Sequence, residues 1–118
     1  MRFVSSLVLS LAVSVMPLSG FAADEVKIRS GFSTGQKYIQ MTAAQKRYYA
    51  MGMVNGMLLA PLFGAPKENM ATLEKCISDM TDTQVAAILT DYLNKNPGQW
   101  NETPHVPMHK AMTEACTK

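Results

Sequence analysis

The only two histidines of the chain, His105 and His109, flank a methionine in the pattern His-x-x-Met-His. Imidazole nitrogen and the thioether of Met108 are ligands that copper accepts, so this segment is a candidate metal site. The imidazoles share a helical face only if a helix already includes His105, and two nearby prolines leave that open. The alternative assigns the methionine to packing, because methionine fills irregular core spaces. We favour packing, and expect no metal and no cofactor.

No other set of residues suggests catalysis. The nine acidic residues are scattered, and no two carboxylates have a spacing suited to general acid–base chemistry. The sequence also contains none of the motifs typical of serine hydrolases, zinc peptidases or phosphate-binding loops. We therefore predict that the protein is not an enzyme.

Residues 1–22 have the pattern of a secretory signal peptide. Arg2 gives a positive start, residues 3–16 form an uncharged apolar stretch, and a proline ends that stretch. A membrane-spanning helix requires about 20 apolar residues, more than this stretch contains. Gly20 and Ala22 supply the small residues that signal peptidase recognises, so cleavage after Ala22 is predicted. We expect a periplasmic protein with no membrane contact after cleavage.

Both cysteines of the chain, Cys76 and Cys116, lie in the part that remains after this cleavage. In an oxidising compartment two thiols favour one internal disulfide. Its loop of about 40 residues corresponds to roughly 4 kcal/mol of stability in the chain-entropy account. The alternatives are a metal pair or a catalytic thiol, but no histidines are clustered with either cysteine. We predict the disulfide Cys76–Cys116.

Length and charge restrict the architecture before any helix is placed. The chain has 118 residues and a formal net charge of +2, which fits one small domain and provides no strong positive patch for nucleic acid. No β-alternation of useful length occurs. We predict an all-α fold, a compact bundle of three to four helices with one disulfide, over residues 42–118. Residues 23–41 are weakly patterned and are predicted to form an N-terminal arm or loop.

Start and stop signals divide residues 42–118 into helices. Thr42 with Gln45, and Thr81 with Gln84, fit capping boxes, in which each side chain bonds the backbone N–H of the other residue. Apolar residues at helical spacing follow the second box. The helices are predicted over residues 43–60, 67–77, 82–95 and about 107–116.

From Tyr48 to Leu59 the first of these helices is apolar on every side, with Asn55 as the exception. Such a helix is normally buried, so we expect it at the centre of the bundle. Gly52 and Gly56 predict a close crossing by another helix of the same chain, with a dimer contact as the alternative. The candidates for helix packing or a dimer interface are Tyr48, Tyr49, Gly52, Asn55 and Gly56.

Trp100 follows the turn that ends the third predicted helix. A tryptophan between two helices either covers the core or stands exposed as a contact for a partner. We favour the covering position and keep Trp100 as a candidate partner contact under the alternative.

The order of these features is similar to that of a known family. The family pattern is carried by Tyr49-x-x-Gly52-x-x-x-Gly56, Cys76, Thr81-x-x-Gln84, Tyr92–Leu93, Pro97, Trp100 and a closing helix from Ala111 to Cys116. Over about residues 46–116 the chain resembles the Rap/Tai family of type VI secretion immunity proteins, which are small and periplasmic. Cys76 and Cys116 correspond to the cysteine positions of that family.

The resemblance implies a helical domain that dimerises and blocks a peptidoglycan amidase delivered into the periplasm. The expected partners are an exported peptidoglycan hydrolase and a second copy of the chain. One alternative is an acid-stress periplasmic chaperone of the HdeA/HdeB type, whose dimer loosens when carboxylates are protonated; nine acidic residues are few for that task. The other alternative is a copper-binding protein based on His105, Met108 and His109.

Overall fold

Five α-helices and two 3-10 turns occupy residues 31–117, the part of the chain that the computed structural model describes. The predicted signal peptide over residues 1–22, its cleavage site, residues 23–30 and Lys118 lie outside the described residues. No strand occurs within residues 31–117, and the all-α prediction is confirmed. The helices are α1 (Gly35–Ile39), α2 (Ala43–Leu58), α3 (Lys67–Ile77), α4 (Asp82–Lys95) and α5 (His105–Cys116), and the 3-10 turns are Ala60–Phe63 and Pro97–Gln99.

Helices α2 and α4 begin at the predicted capping boxes. At α2, Thr42 Oγ1 accepts a hydrogen bond from Gln45 N–H at 3.2 Å, and Gln45 Oε1 accepts one from Thr42 N–H at 2.9 Å. The same reciprocal pair forms at α4 between Thr81 and Gln84, at 3.2 and 2.8 Å. A helix start leaves N–H groups without intrahelical partners. At the starts of both helices, nearby side chains therefore accept hydrogen bonds from some of these N–H groups.

Helix α4, rather than α2, lies at the centre of the fold. It contacts α1, α2 and α5, whereas α2 buries only Ala50 and Val54. The prediction that α2 is the central, buried helix is therefore wrong. The apolar residues of α2 surround the helix evenly, while those of α4 form one stripe that its neighbours cover together. The buried residues of α4 are Val85, Ala86, Leu89 and Leu93.

Residues 31–41, predicted as part of an arm or loop, contain α1 and contribute to the core. Tyr38 is fully buried, and its hydroxyl donates to Ala86 O in α4 at 3.0 Å. The N–H of Gly35 donates to Glu102 O at 2.9 Å. Helix α1 has only five residues, too few for a helical period to be recognised in the sequence.

The backbone of α1 packs directly against the segment before α5. A Cβ built at Gly35 would lie 3.0 Å from Gln99 O, 3.0 Å from Leu93 Cδ2 and 3.1 Å from Trp100 Cα. These distances are shorter than ordinary van der Waals contact, so a larger residue at this position would require its neighbours to shift by a few tenths of an ångström. The close packing explains why a helix of one turn holds its place.

Helix α5 begins at His105, earlier than the predicted start near Pro107. Pro107 lies in the first turn, where a missing N–H costs no intrahelical bond. The N–H of Met108 donates to Pro104 O at 2.8 Å and closes that first turn. Met108 and Met112 are among the residues that α5 buries against the core.

The predicted disulfide is confirmed. Cys76, in the last turn of α3, is bonded to Cys116 at the end of α5, and their Cα atoms are 5.6 Å apart. Both half-cystines are partly buried. The bond therefore joins the ends of two helices that are 40 residues apart in sequence.

Candidate interaction surface

One side of α2 is open to solvent. Tyr48, Gly52, Asn55 and Gly56 are exposed, and Tyr48 retains 71% of its accessible area. Their helical spacing places them on one side of the helix. A Cβ built at either glycine would meet no atom within 4 Å. The close crossing predicted within this chain is therefore wrong, because α3 and α4 pack elsewhere on α2.

Tyr49, the neighbour of Tyr48 in sequence, packs against the core instead. It is partly buried, and its ring centroid lies 5.9 Å from that of Tyr38. Burial raises the pKa of the Tyr49 hydroxyl, as it does for Tyr38. Tyr49 is therefore separated from the other residues that were predicted with it as a packing or dimer contact.

Exposed apolar side chains continue along the chain past the end of α2. Leu59 is 51% exposed, Leu62 79% and Phe63 86%. The 3-10 turn that contains Leu62 and Phe63 ends at Gly64, whose φ of 96° lies in the left-handed region that favours glycine. In the sequence this segment predicts only a break between helices. The exposure of Leu62 and Phe63 is visible only in the folded chain.

We call these exposed residues together the apolar face, and they carry no charge. No Asp, Glu, Lys or Arg occurs between residues 48 and 63 of the sequence. Clustered exposed apolar residues in a folded protein commonly mark a surface for another macromolecule. The apolar face consists of Tyr48, Gly52, Asn55, Gly56, Leu59, Leu62 and Phe63.

Trp100 is partly buried and packs against the core. Its indole Nε1–H donates to Leu93 O at 2.8 Å, and its carbonyl accepts from Gln36 N–H at 2.9 Å. This is the covering position expected from the sequence. Because the only side-chain donor of Trp100 is already bonded within the protein, we do not include this residue in the apolar face.

Two open grooves lie beside Met57. The first, about 510 Å³ in volume, is bounded by the end of α2, α3 and α5, and reaches Cys116. The second, about 450 Å³, lies between Met57 and the first turns of α5. Met57 and His109 line both grooves, and no acidic side chain lines either one. Both volumes fall in the range of small-ligand sites.

The alternative copper set of His105, Met108 and His109 does not come together. Met108 is fully buried in the core, whereas both histidines are exposed. Adjacent residues of a helix point in different directions, so Met108 and His109 cannot share a face. The histidines instead line the second groove with Met57. In the described part of the chain, His, Cys, Asp and Glu side chains form no group of three or more that would hold a metal ion.

A single ion pair joins two helices within residues 31–117. Arg47 Nε in α2 lies 3.2 Å from Asp82 Oδ2 at the start of α4, and the two side chains are 37% and 40% exposed. Pairs this accessible to water are worth at most about 1 kcal/mol. The contact orients α2 on α4 without dominating their packing.

Comparison of the whole chain with family models, with curated proteins and with solved structures gave no match. None of the helices in residues 31–117 has the length and apolar character needed to cross a membrane. The resemblance to the Rap/Tai family, and the function that it implies, therefore stay predictions.

Proposed function

We propose that this protein acts by binding another protein, as an exported inhibitor of the immunity type whose target is a peptidoglycan amidase. The observation that carries the proposal is the apolar face. Burying a side chain such as Leu62 or Phe63 yields about 1.5 to 3 kcal/mol relative to leaving it in water. A surface that leaves both exposed is suited to a partner that covers them.

The helical part of the apolar face is suited to a second copy of the chain. Helix α2 has 16 residues and is therefore about 24 Å long. Gly52 and Gly56 allow another backbone to approach closely, and Tyr48 and Asn55 offer polar atoms at the edge. An uncharged surface is also self-compatible, because a two-fold axis places each group of the face opposite the same face of the partner.

The apolar turn that follows α2 is suited to a different kind of contact. Leu62 and Phe63 are the most exposed large apolar residues in the described part of the chain. Two adjacent side chains that project this far fit a concave surface, and enzyme active sites are concave. We assign the turn to the amidase and the helical part to the dimer, which lets one protomer make both contacts at once.

Gly52→Leu is expected to weaken dimerisation by roughly 100-fold. The leucine intrudes twice in a two-fold dimer, and overpacking costs about 1 to 3 kcal/mol per site, with 1.4 kcal/mol for each tenfold in affinity. The fold of each protomer is expected to persist, because nothing lies within 4 Å of the new Cβ. Light scattering coupled to size-exclusion chromatography, across a dilution series, measures the change.

Two matched variants control this measurement. Ala87→Leu places the same side chain on an exposed position of α4 and is expected to leave the dimer unchanged. Gly52→Ala is expected to stabilise α2 by up to about 1 kcal/mol. If the wild-type protein is a monomer at high concentration, or if Gly52→Leu dimerises like the wild type, the dimer assignment is wrong.

The function itself is tested by protection of cells. Bacteria that export a type VI peptidoglycan amidase to their periplasm are expected to lyse, and co-export of this protein is expected to prevent lysis. Phe63→Glu is expected to abolish protection, since it places a charge in the proposed contact. Phe32→Glu, at another exposed phenylalanine, controls for the loss of an exposed ring. Lysis that continues despite the wild-type protein, across a panel of such amidases, contradicts the proposal.

The chaperone alternative predicts a different result. A chaperone of that type exposes apolar surface after acid loosens its dimer. Prevention of client aggregation at about pH 2 to 3, together with failure of amidase protection, would favour the chaperone. Protection from the amidase without client rescue would favour the inhibitor.

A further inference from the structure

We propose that His105, His109 and Met57 form a binding site for copper(I). The two histidines lie on adjacent turns of α5, because the helix begins at His105. Residues four apart share a helical face, with Cβ atoms about 6 Å apart. Both imidazoles are exposed, so they are free to turn toward a common ion.

Met57 supplies the third ligand from across the groove. It is partly buried on α2 and lines the second groove together with His105 and His109. Met57 and His109 also line the first groove, so these two side chains lie between the two grooves. The tertiary fold therefore brings the thioether of α2 and the two imidazoles of α5 to one groove.

The donor set determines which ion is expected. Two imidazoles and a thioether are soft or intermediate ligands, the type that selects copper(I). Neither groove is lined by an Asp or Glu side chain, so the oxygen ligands that magnesium and calcium require are missing there. A three-coordinate copper(I) ion needs no further protein ligand.

The groups around the site are compatible with a cation. Lys110 lines the second groove, and its Nζ donates to Gln99 Oε1 at 3.1 Å. Thr103 Oγ1 lies 3.3 Å from His105 Nε2. A hydrogen bond to one ring nitrogen orients a histidine and leaves the other nitrogen for the metal.

The test is a copper(I) titration of the disulfide-bonded protein under anaerobic conditions, with ascorbate and a chromophoric copper(I) chelator in competition. One copper per chain is expected. Met57→Leu and His109→Ala are each expected to weaken binding by roughly tenfold or more, since even indirect contacts to a metal contribute that much. Circular dichroism verifies that each variant is folded.

Met108→Leu is the decisive control, because it separates the folded site from the contiguous His-x-x-Met-His segment. Met108 is fully buried, so this variant is expected to bind copper like the wild type. Loss of binding in Met108→Leu but not in Met57→Leu would overturn the proposal, as would absence of binding by the wild type. Independently of any variant, the Met57 methyl resonance is expected to shift during the titration, and an unshifted resonance counts equally against the site.

Discussion

Replacing both cysteines, Cys76→Ala with Cys116→Ala, is expected to lower the free energy of unfolding by about 4 kcal/mol. The disulfide closes a loop with a sequence separation of 40, and the loss of chain entropy in the unfolded state accounts for that magnitude. A domain of this size buries a modest fraction of its surface, so 4 kcal/mol is a large part of its stability. The corresponding fall in melting temperature is roughly 15 to 30 °C.

Thermal unfolding followed by circular dichroism measures this effect, with and without reductant. Reduction of the wild type is expected to reproduce the fall, whereas the double variant is expected to be insensitive to reductant. The helices α3 and α5 are held at their C-terminal ends by this bond, so the change in hydrogen exchange is expected to be greatest there. Equal melting temperatures for the oxidised wild type and the double variant would contradict the expectation.

Tyr38→Ala is expected to lower the free energy of unfolding by about 3 to 5 kcal/mol, the cost of removing a buried aromatic ring. Tyr38 is fully buried and its ring lies near that of Tyr49, at 5.9 Å between centroids. Loss of the ring also detaches α1 from α4, because the Tyr38 hydroxyl bonds Ala86 O. Urea unfolding gives the change, and Tyr48→Ala, at 71% exposure, is expected to stay within about 0.5 kcal/mol of the wild type.

Tyr38→Phe separates the ring from its hydroxyl. The expected cost is only about 0.5 to 1.5 kcal/mol, because Ala86 O still accepts from Thr90 Oγ1 at 2.8 Å. If Tyr38→Ala were as mild as Tyr48→Ala, residues 31–41 would be an undocked arm after all.

Tyr38 also influences the dependence of stability on pH. Burial raises the pKa of its hydroxyl above the ordinary value of 10.0, so the unfolded chain releases this proton at lower pH than the folded chain. The contribution is complete below pH 10 and declines as the pH rises through the folded-state pKa. Tyr38→Phe is therefore expected to lose stability less steeply than the wild type above pH 10. Parallel alkaline curves would contradict this assignment.

The local features of the sequence predict the local features of the fold. The capping boxes at Thr42 and Thr81 mark helix starts because the groups that bond each other are three residues apart, and their geometry needs no other part of the chain. Helix α3 begins and ends at the predicted residues, and the disulfide follows from having only two cysteines. These inferences depend on neighbours in sequence or on simple counting.

The glycines of α2 show where such inference fails. A pair of glycines indicates close approach, but the sequence does not say what approaches. In the structure no other part of residues 31–117 comes near Gly52 or Gly56. Another part of the chain does come close to Gly35, which lies in a helix too short to be recognised in the sequence. Which face of a helix is buried depends on where the other helices of the chain pack against it.

The sequence by itself determined that this chain is helical, where α2, α3 and α4 begin and which cysteines pair, because capping, periodicity and pairing are local or combinatorial properties. Only the tertiary structure decided that α4 is central, that Tyr38 completes the core and that Met57, rather than Met108, lines a groove together with the two histidines. Burial and juxtaposition arise when distant segments pack, and each apolar residue that is left out becomes surface. The apolar face consists of apolar residues that the packing leaves exposed, and for this reason it is the candidate site.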